Sequence, residues 1–529
     1  MKKQMITLML LVAGLTMTCN DYLEVEPVSE ISTATFYASE SGALAAVAAA
    51  YDPLQWSGSY KTFMWTLNDI GSDDADKGDG GASDGPQWIQ VDNFNYSAEN
   101  DEILNGYVDP YAGILRANVA IEQVPGIDMD EGLKQRLVGE AKFLRALYYF
   151  NLVNSFGGVP LVTEVLSLDE LIQPRATSLE VWNQILIDLD SAQAVLPPTY
   201  DDENLGRATK GAALGLLAKS HVFLAHYDEA NAATHWQQAV EKAQAVVDLG
   251  VYQLVDGTTP DEKQTAYRNM FTAAGDNNVE SVFEVQFARI EGQDGWGNGG
   301  DGHWHHAHMA LRGDSGQKGN TASGTAGFGF DMPTLDLVDA YEEGDIRLGA
   351  TIIQTGDEFR GYVLGSDDLG NTSNGTLSRK YLNEDPAFAA DGINQPMNLK
   401  VLRYSDILLL LAEALNEVNG SPTAAAYAAI NQVRQRANLS DVAGLSQAEF
   451  REAVWQERRV EFALEGMRWF DLKRQGPNSG DARWLTVMKE HVDQYKAEAV
   501  TVAPYNELLP IPQAAIDNSG GTLTQNEGY

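Results

Sequence analysis

The longest amphipathic segments of the chain predict a series of long helices. Residues 107–124, 133–156 and 179–196 each repeat apolar residues at a spacing of three or four, the period of a helix with one buried face. A glycine pair follows the second segment and a proline pair follows the third, which predicts where those helices end. The first half of the chain is therefore predicted to be largely helical.

Two further segments read as pairs of helices joined by a short polar turn. They cover residues 207–250 and 402–439, and both place alanine and glycine where two helices must approach closely. This pattern is typical of tetratricopeptide-type repeats, which bury their faces by stacking on neighbouring repeats. The spacing is irregular, so the sequence predicts a mainly α fold, a degenerate tetratricopeptide-like helical superhelix.

Other segments break the helical pattern and predict an irregular, loop-rich portion. Residues 278–290 alternate as a strand, with Phe283 and Val285 on one face, whereas residues 291–329 are rich in Gly, His and Asp and keep no period. Long loops in a compact protein are usually functional or disordered. The predicted organisation is a signal peptide at 1–18, a helical region at 19–250, a ligand-binding insertion at 251–400 and a C-terminal helical region at 401–529.

The N-terminus resembles the export signal of a lipoprotein. Lys2 and Lys3 precede a short apolar stretch at residues 5–15, which leads to Cys19, the one cysteine of the chain. The stretch is too short to span a bilayer. Thr18 departs from the small residue usual before an acylated cysteine, so a plain signal peptide is the alternative. We predict acylation of Cys19 and a body tethered to the membrane, because no second thiol could pair with it.

Charge excludes one class of partner. The net charge is −39, from 75 acidic and 36 basic residues, and 44% of residues are hydrophobic. Nucleic acid is a poor partner because no excess of basic residues can neutralise phosphates. A strongly anionic polysaccharide is disfavoured for the same reason, although a local basic pocket could override the overall charge.

Two segments carry residues that often bind metals. Residues 73–84, "DDADKGDGGASD", suggest a calcium loop, but Gly78 and Gly85 occupy positions where an EF-hand needs ligands. A solvated acidic loop is the simpler interpretation, with structural calcium as the alternative and no other cofactor. His303, His305, His306 and His308 lie in "HWHHAH" without an HExxH motif, so we predict a ligand-facing or packing role.

The sequence does not support any of the catalytic patterns considered. A G-x-G-x-x-G spacing precedes the histidines, but the sequence predicts no helix after it, as a dinucleotide site would need. Acidic residues are too numerous to single out a glycosidase pair. The chain is therefore predicted to be a binding protein without catalytic residues.

The tryptophans fall into two groups. Trp182, Trp236, Trp455 and Trp469 lie on apolar helix faces and are predicted to be core. In contrast, Trp56, Trp88, Trp296 and Trp304 lie among Gly, Asp, Asn and Ser outside any periodic segment. An exposed indole covers the apolar face of a pyranose while nearby carboxylates and amides bind its hydroxyls. We predict that two of these four contact a sugar.

Several sequence blocks occur in one order from residue 19 to residue 529. They include "FLRALYYFNLVNSFGGVPLVTE" at 143–164, "LRYSDILLLLAEALNE" from residue 402, "ERRVEFALEGMRWFDLKR" at 457–474 and the terminal "LLPIPQAAIDNSGGTLTQNEGY". Jointly they resemble the SusD/RagB family of surface glycan-binding lipoproteins. The resemblance implies a SusD-like fold in the outer membrane, lipid-anchored and facing the exterior. It also implies a partner, a SusC-like TonB-dependent transporter that receives the captured oligosaccharide.

The resemblance also implies roles for particular residues. The segment 68–74, with Asn68, Asp73 and Asp74, commonly lines the ligand site in this family, as do the loops after the central strand, which contain His303 and His305. Charged residues of the 457–474 block are predicted to form structural ion pairs, namely Arg458, Arg459, Glu461, Arg468 and Asp471.

Several alternatives stay open. A relative could capture peptides or other non-sugar nutrients, a glycosidase could use a helical scaffold, or the repeats could bind protein alone. The glycan itself is not identified, although the acidic charge favours a neutral or amino sugar polymer.

Overall fold

The computed structural model describes residues 39–529 except 79, 82, 293–295, 297–299, 313–326, 360–361, 367, 370–373, 385–392, 477–481 and 497–499. The predicted signal peptide and Cys19 lie outside the described residues, so the lipid anchor stays a prediction. Among the described residues, no helix is both long enough and apolar enough to cross a bilayer.

Helices dominate the chain. In order they are α1 Glu40–Tyr51, α2 Phe63–Trp65, α3 Pro86–Asp92, α4 Asp101–Gln123, α5 Glu131–Phe156, α6 Ser178–Val195, α7 Lys210–Tyr227, α8 Ala232–Asp248, α9 Pro260–Asn269, α10 His305–Met309, α11 Leu335–Asp339, α12 Arg347–Thr351, α13 Tyr404–Asn419, α14 Ala424–Arg436, α15 Gln447–Glu461, α16 Arg468–Lys473, α17 Arg483–Tyr495 and α18 Gln513–Asn518.

Short strands lie between and beside these helices as antiparallel pairs. The strands are β1 Ala75–Gly78, β2 Ser281–Val285, β3 Phe330–Pro333, β4 Ile352–Gln354, β5 Glu358–Phe359, β6 Tyr362–Val363, β7 Thr376–Ser378 and β8 Leu399–Arg403. Within the described part of the chain they form four two-stranded sheets, pairing β1 with β3, β2 with β8, β4 with β7, and β5 with β6. The pairing of β1 with β3 brings residues that are far apart in sequence to the same place.

The long helices stack in chain order as a helical superhelix. Each of α4 to α7 packs on the next helix, and α8 packs on α13, which in turn contacts α14 and α15. Close approach depends on small residues: a Cβ at Gly113 of α4 would lie 2.2 Å from the ring of Tyr148 in α5. The predicted mainly α, tetratricopeptide-like architecture is confirmed.

Helix α4 starts earlier than the sequence pattern predicts. It begins at Asp101, because the side chain of Asn100 accepts hydrogen bonds from the N–H groups of Glu102 and Ile103. The helix continues through Pro110, which lacks the N–H of a normal helical hydrogen bond. The apolar period begins only after this capped first turn, which is why the pattern placed the start near residue 107.

A group of charged side chains, the buried ion network, fixes the C-terminal helices to the loop-rich portion. Its centre is Glu461 in α15, which binds Arg403 at 2.7 Å, Arg347 at 3.0 Å, and also Arg436. All four side chains are buried. A buried carboxylate needs paired cations to offset its lost hydration, and three arginines provide that here.

The predicted structural ion pairs of the 457–474 block are confirmed, but not as neighbours on one helix. Arg458 binds Asp406 of α13 at 2.6 Å and Asp471 of α16 at 2.8 Å. Arg459 and Arg468 instead bind Asp73, which precedes β1. These pairs therefore join distant segments of the chain.

Candidate functional site

Seven aromatic side chains converge where the N-terminal segment meets the loop-rich portion. We name them the aromatic platform: Trp65, Trp88, Trp296, Trp304, His308, Phe328 and Phe330. They come from α2, α3, α10, β3 and the loops beside them. The β1–β3 pairing brings these elements together, because Gly78 is opposite Phe330 in its register.

His308 lies at the centre of the platform. Its ring centroid is 5.2 Å from that of Trp88 and 5.5 Å from that of Trp296. Trp88 also meets Phe330 at 5.2 Å, and Trp296 meets Trp304 at 5.0 Å. These separations are typical of edge-to-face and tilted aromatic pairs, so the rings support one another.

Exposure differs sharply within the platform. Trp296 is 53% exposed, whereas Trp304 is 8% exposed and Trp65 is buried. An exposed indole that rests on buried rings forms an apolar plate open to solvent. Such a plate is the element that stacks on the apolar face of a sugar ring.

A buried lysine holds the edge of the platform. The Nζ atom of Lys61 lies 4.8 Å from the ring centroid of Trp304 and donates a hydrogen bond to the carbonyl of Gly300 at 2.7 Å. Burial lowers the pKa of Lys61 to about 8, against the opposing influence of Asp301 and Asp52. The ammonium thus ties the loop at residues 300–304 to the helical body.

A cleft with both polar and apolar walls lies next to this lysine. Its volume is about 400 Å³, and its polar lining includes Asp52, Gln55, Gln286 and Asp301. Carboxylates of this kind accept hydrogen bonds from hydroxyl groups, and side-chain amides both accept and donate them. The platform and the cleft together therefore offer an apolar plate and polar side chains on adjoining surface.

The histidines serve as packing groups. His303, His305 and His308 are buried, and burial lowers the pKa of His305 and of His308 to about 3 and holds that of His303 well below its usual value. All three are therefore neutral near pH 7. His303 accepts a hydrogen bond at Nδ1 from the backbone N–H of His305, at 3.1 Å.

The sequence predicts no helix after residue 300, and that prediction is wrong. Residues His305–Met309 form one turn of helix, α10. Its side chains are buried, so tertiary packing stabilises a helix that a glycine-rich neighbourhood would not favour alone. This turn aims His308 at Trp88 and Trp296.

The three polar residues expected from the 68–74 segment lie below the surface. Asn68 is buried, and its amide oxygen accepts the N–H of Phe470 at 3.0 Å. Asp73 receives two hydrogen bonds of 2.8 Å from Arg468. Asp74 accepts a hydrogen bond of 2.8 Å from Arg459. These side chains support the scaffold in the described structure, and none of them belongs to the platform.

Charge pairing explains how two adjacent carboxylates stay buried. Although burial alone would raise it, Arg459 and Arg468 hold the pKa of Asp73 below its ordinary value. Asp84, at the other end of the acidic segment, pairs with Arg312 at 2.5 Å. Among the described residues, no group of three or more His, Cys, Asp or Glu side chains could hold a metal ion. The calcium alternative therefore stays a prediction without structural support.

Of the four predicted sugar-binding tryptophans, the structure brings three together. Trp88, Trp296 and Trp304 all belong to the platform. Trp56 is outside the platform and beside the cleft: the guanidinium of Arg116 covers its ring at 4.8 Å, and Arg116 in turn pairs with Asp52, which lines the cleft. Trp182, Trp455 and Trp469 are buried as predicted, and Trp236 packs partly buried on α7 and α13.

Sequence reasoning missed three members of the platform, Trp65, Phe328 and Phe330, and left His308 open between a ligand-facing and a packing role. Phe328 and Phe330 occur in "GFGFD", where aromatic residues stand among glycines, so the criterion that selected Trp296 could have found them. Trp65 carries no such signal, because it becomes part of the platform only through packing.

Comparison with known proteins gives consistent results along the whole chain. Residues 259–529 match the model of the SusD family, and residues 21–222 match a family described as starch-binding and associating with the outer membrane. SusD-like protein P25 of Formosa agariphila is 28% identical over 528 residues, which cover 94% of this chain and 93% of the relative. The starch-binding protein SusD of Bacteroides thetaiotaomicron is 25% identical over 477 residues, covering 83% and 81%.

Solved structures agree with these matches. A laminarin-binding SusD-like protein is 29% identical, with a TM-score of 0.74 over 93% of this chain and 100% of that chain. Surface glycan-binding protein A of Bacteroides fluxus is 25% identical, with a TM-score of 0.76 over 93% and 100%. These relatives are described as binding proteins, in line with the expectation of a non-catalytic chain.

Proposed function

Since the chain belongs to the SusD family, we propose that it captures a glycan at the aromatic platform and delivers it to a TonB-dependent transporter in the outer membrane. The observation that carries this proposal is the exposed indole of Trp296 supported by buried aromatic rings. Capture involves no bond breaking, and the platform provides contact surface only.

The chemistry of a pyranose matches this surface. Its axial C–H groups form an apolar face that stacks on an indole, while its hydroxyls need hydrogen-bonding partners at the edges. Trp296 provides the stacking plate, and the cleft with Gln55, Gln286 and Asp301 provides polar side chains nearby. A chain of several sugar units could contact both.

Charge favours a neutral ligand. The net charge of −39 repels uronate and sulfate groups at long range. Three cations beside the platform are already engaged: Lys61 is bound to Gly300, Arg312 is paired with Asp84, and Lys77 lies over the ring of Phe330 at 4.4 Å. Because the 29% identical relative is described as laminarin-binding, we propose a neutral glucan as the first ligand class to test.

Attachment and delivery rest on the family and on the N-terminal sequence. We propose that acylated Cys19 anchors the protein to the outer membrane and that the body faces the exterior, where the glycan is met. The family model described as associating with the outer membrane supports this location. The transporter partner is likewise a family-level proposal.

Calorimetric titration of residues 20–529 against neutral, amino and acidic oligosaccharides tests the proposal. We expect micromolar or weaker binding of a neutral oligosaccharide, such as one derived from laminarin, and no new reducing ends after prolonged incubation. Sustained release of reducing ends would instead indicate a glycosidase. Binding of peptides with no binding of any sugar would contradict the glycan proposal.

A further inference from the structure

A second cavity lies between helices α15, α16 and α17, and its lining shares no side chain with the platform or the cleft. Its volume is about 250 Å³, and its buried lining includes Arg468, Gln475 and His491. Trp455 and Tyr495 add two aromatic side chains. Sites for drug-sized ligands measure about 300–1,000 Å³, so this cavity fits a smaller molecule.

Three arginines line this cavity, and each is already paired with a carboxylate. Arg468 and Arg459 both bind Asp73, at 2.8 and 3.0 Å. Arg483 binds Glu452 at 2.8 Å. An anionic ligand would have to compete with these carboxylates for a guanidinium, and a buried anion without a paired cation is costly. The charge balance of the lining therefore favours a neutral ligand.

His491 provides the cavity with a hydrogen-bond acceptor. Its Nδ1 atom lies 2.9 Å from Oδ2 of Asp336. Because an ionised carboxylate only accepts hydrogen bonds, Nδ1 carries the proton, and Nε2 of the neutral ring is left as an acceptor. The side chain is fully buried, and Nε2 has no hydrogen-bond partner among the described residues. A buried acceptor of this kind needs a donor, which a molecule in the cavity can supply.

Two hydrogen-bond donors belong to the same lining. Gln475 is 2% exposed, and within the described part of the chain neither its Nε2 atom nor the buried Nε atom of Arg483 has a partner. Both nitrogens carry N–H groups and therefore need acceptors. A hydroxyl group donates and accepts, so it can satisfy Nε2 of His491 and one of these donors together. Two adjacent hydroxyls can satisfy all three atoms.

Aromatic rings give the cavity apolar surface beside these polar atoms. Tyr495 stacks on the ring of His491, with centroids 5.7 Å apart and planes inclined by 22°. The guanidinium of Arg483 covers the ring of Trp455 at 5.1 Å. Rings beside a few hydrogen-bonding groups suit a molecule that has both C–H and hydroxyl surface. The lining thus matches a small polyhydroxylated molecule better than a purely apolar one.

We propose that this cavity is a second binding site, for a small neutral molecule with adjacent hydroxyl groups, such as a monosaccharide or a polyol. Ligand hydroxyls would donate to Nε2 of His491 and accept from the N–H groups of Gln475 and Arg483. The site uses no side chain of the aromatic platform, so the inference does not depend on glycan capture there. Separate water molecules can make the same hydrogen bonds, so water is the alternative occupant.

Calorimetric titration of residues 20–529 with D-glucose, N-acetylglucosamine and sorbitol tests the inference. The titrations use the Trp296→Ala variant, so that a sugar stacked on the platform does not contribute to the heat. We expect saturable binding of at least one of these probes. Sodium phosphate and sodium acetate should not bind, because the guanidinium groups of the lining are already paired. If none of the three neutral probes binds saturably, water is the occupant and the inference is overturned.

Two glutamine substitutions in the Trp296→Ala background form a matched pair. Gln475→Leu keeps the approximate size of the side chain but removes the amide donor from the cavity. Gln432→Leu is the control, because Gln432 is exposed on α14 and bonds to Ala428 of its own helix. We expect Gln475→Leu to weaken binding of the probe at least tenfold and Gln432→Leu to leave it unchanged. Equal affinities in the two variants, both folded by circular dichroism, would place the probe elsewhere and overturn the inference.

Nitrogen NMR of protein with ¹⁵N-labelled histidine adds a measurement that leaves the cavity lining unchanged. The Nε2 resonance of His491, assigned by its loss in His491→Gln, should shift when a hydroxyl of the probe donates to it. His226 is the internal control, because its ring packs against Trp236 on α8, with centroids 5.3 Å apart. A shift confined to His491 would support the inference. Equal shifts at both histidines would indicate nonspecific binding of the probe and overturn it.

Discussion

The buried ion network and the aromatic platform differ in which side chains they expose to water. Around Glu461, charged groups that normally face water are enclosed and paired with one another. In the platform, Trp296, a group that normally avoids water, is left more than half exposed on a base of buried rings. The network joins distant segments, and the platform presents a surface.

This difference shows which side chains indicate function in so acidic a chain. Carboxylates are abundant, and the most enclosed of them, such as Asp73, are already bound to arginines. Aromatic residues within glycine-rich segments are few, and three of the four chosen from sequence meet in one place. In this protein, exposed aromatic rings mark the candidate site better than carboxylates do.

The largest expected effect is on the network. Glu461→Gln removes the anion shared by three buried arginines, so the free energy of unfolding should fall by about 3–5 kcal/mol. Denaturant unfolding measures the loss. Glu452→Gln is the control, because its pair with Arg483 is largely exposed and should contribute about 0–1 kcal/mol. Equal losses in the two variants would contradict a distinct buried network.

A smaller effect concerns the pH dependence of stability. The folded pKa of His305 and of His308 is about 3, below the value of about 6.5 in an unfolded chain. Between these values the unfolded state binds more protons, so stability falls as pH drops below 6.5. Each histidine should therefore lower the free energy of unfolding by about 1.4 kcal/mol at pH 5.5, relative to its value near pH 7.5.

Unfolding midpoints measured from pH 7.5 to pH 5.5 test this dependence. His308→Gln cannot titrate, so its stability should decline less steeply with falling pH, whatever its stability at pH 7.5. An unchanged slope would show that the histidine titrates normally in the folded protein, contrary to its burial among aromatic rings.

The smallest expected effect is at the edge of the platform. Arg312 and Asp84 pair at 2.5 Å, but about a third of each side chain is exposed. Arg312→Gln should therefore change the free energy of unfolding by about 0–1 kcal/mol. Thermal unfolding in low and high salt measures it, and the difference from wild type should shrink as salt screens the pair. A decrease in the free energy of unfolding as large as that expected for Glu461→Gln would contradict this, and would show that the Arg312 pair is needed to hold the fold together.

The sequence predicted the helical fold well, because long apolar periods and helix-ending residues are local signals. Helix α5 was predicted at 133–156 and occurs at Glu131–Phe156. The short helix at His305–Met309 was missed, because it depends on burial of its side chains against distant rings. The glycine-rich segment that precedes this helix in sequence instead favours a loop.

The candidate site was predicted in part. Trp88, Trp296 and Trp304 could be selected because indoles outside periodic segments are unusual. Their convergence on His308 could not be predicted, since it depends on the pairing of β1 with β3. Asp73 illustrates the opposite case: its sequence neighbourhood looks exposed, and only the fold brings Arg459 and Arg468 to it.

The central claim is that the exposed indole of Trp296 holds the glycan, whereas the ring of Trp56, which Arg116 covers, does not. Calorimetric titration of Trp296→Ala and Trp56→Ala with the neutral oligosaccharide that binds wild type tests it most directly. We predict that Trp296→Ala loses at least tenfold in affinity while remaining as stable as wild type, and that Trp56→Ala binds normally. Undiminished binding by Trp296→Ala, with loss in Trp56→Ala, would contradict the account.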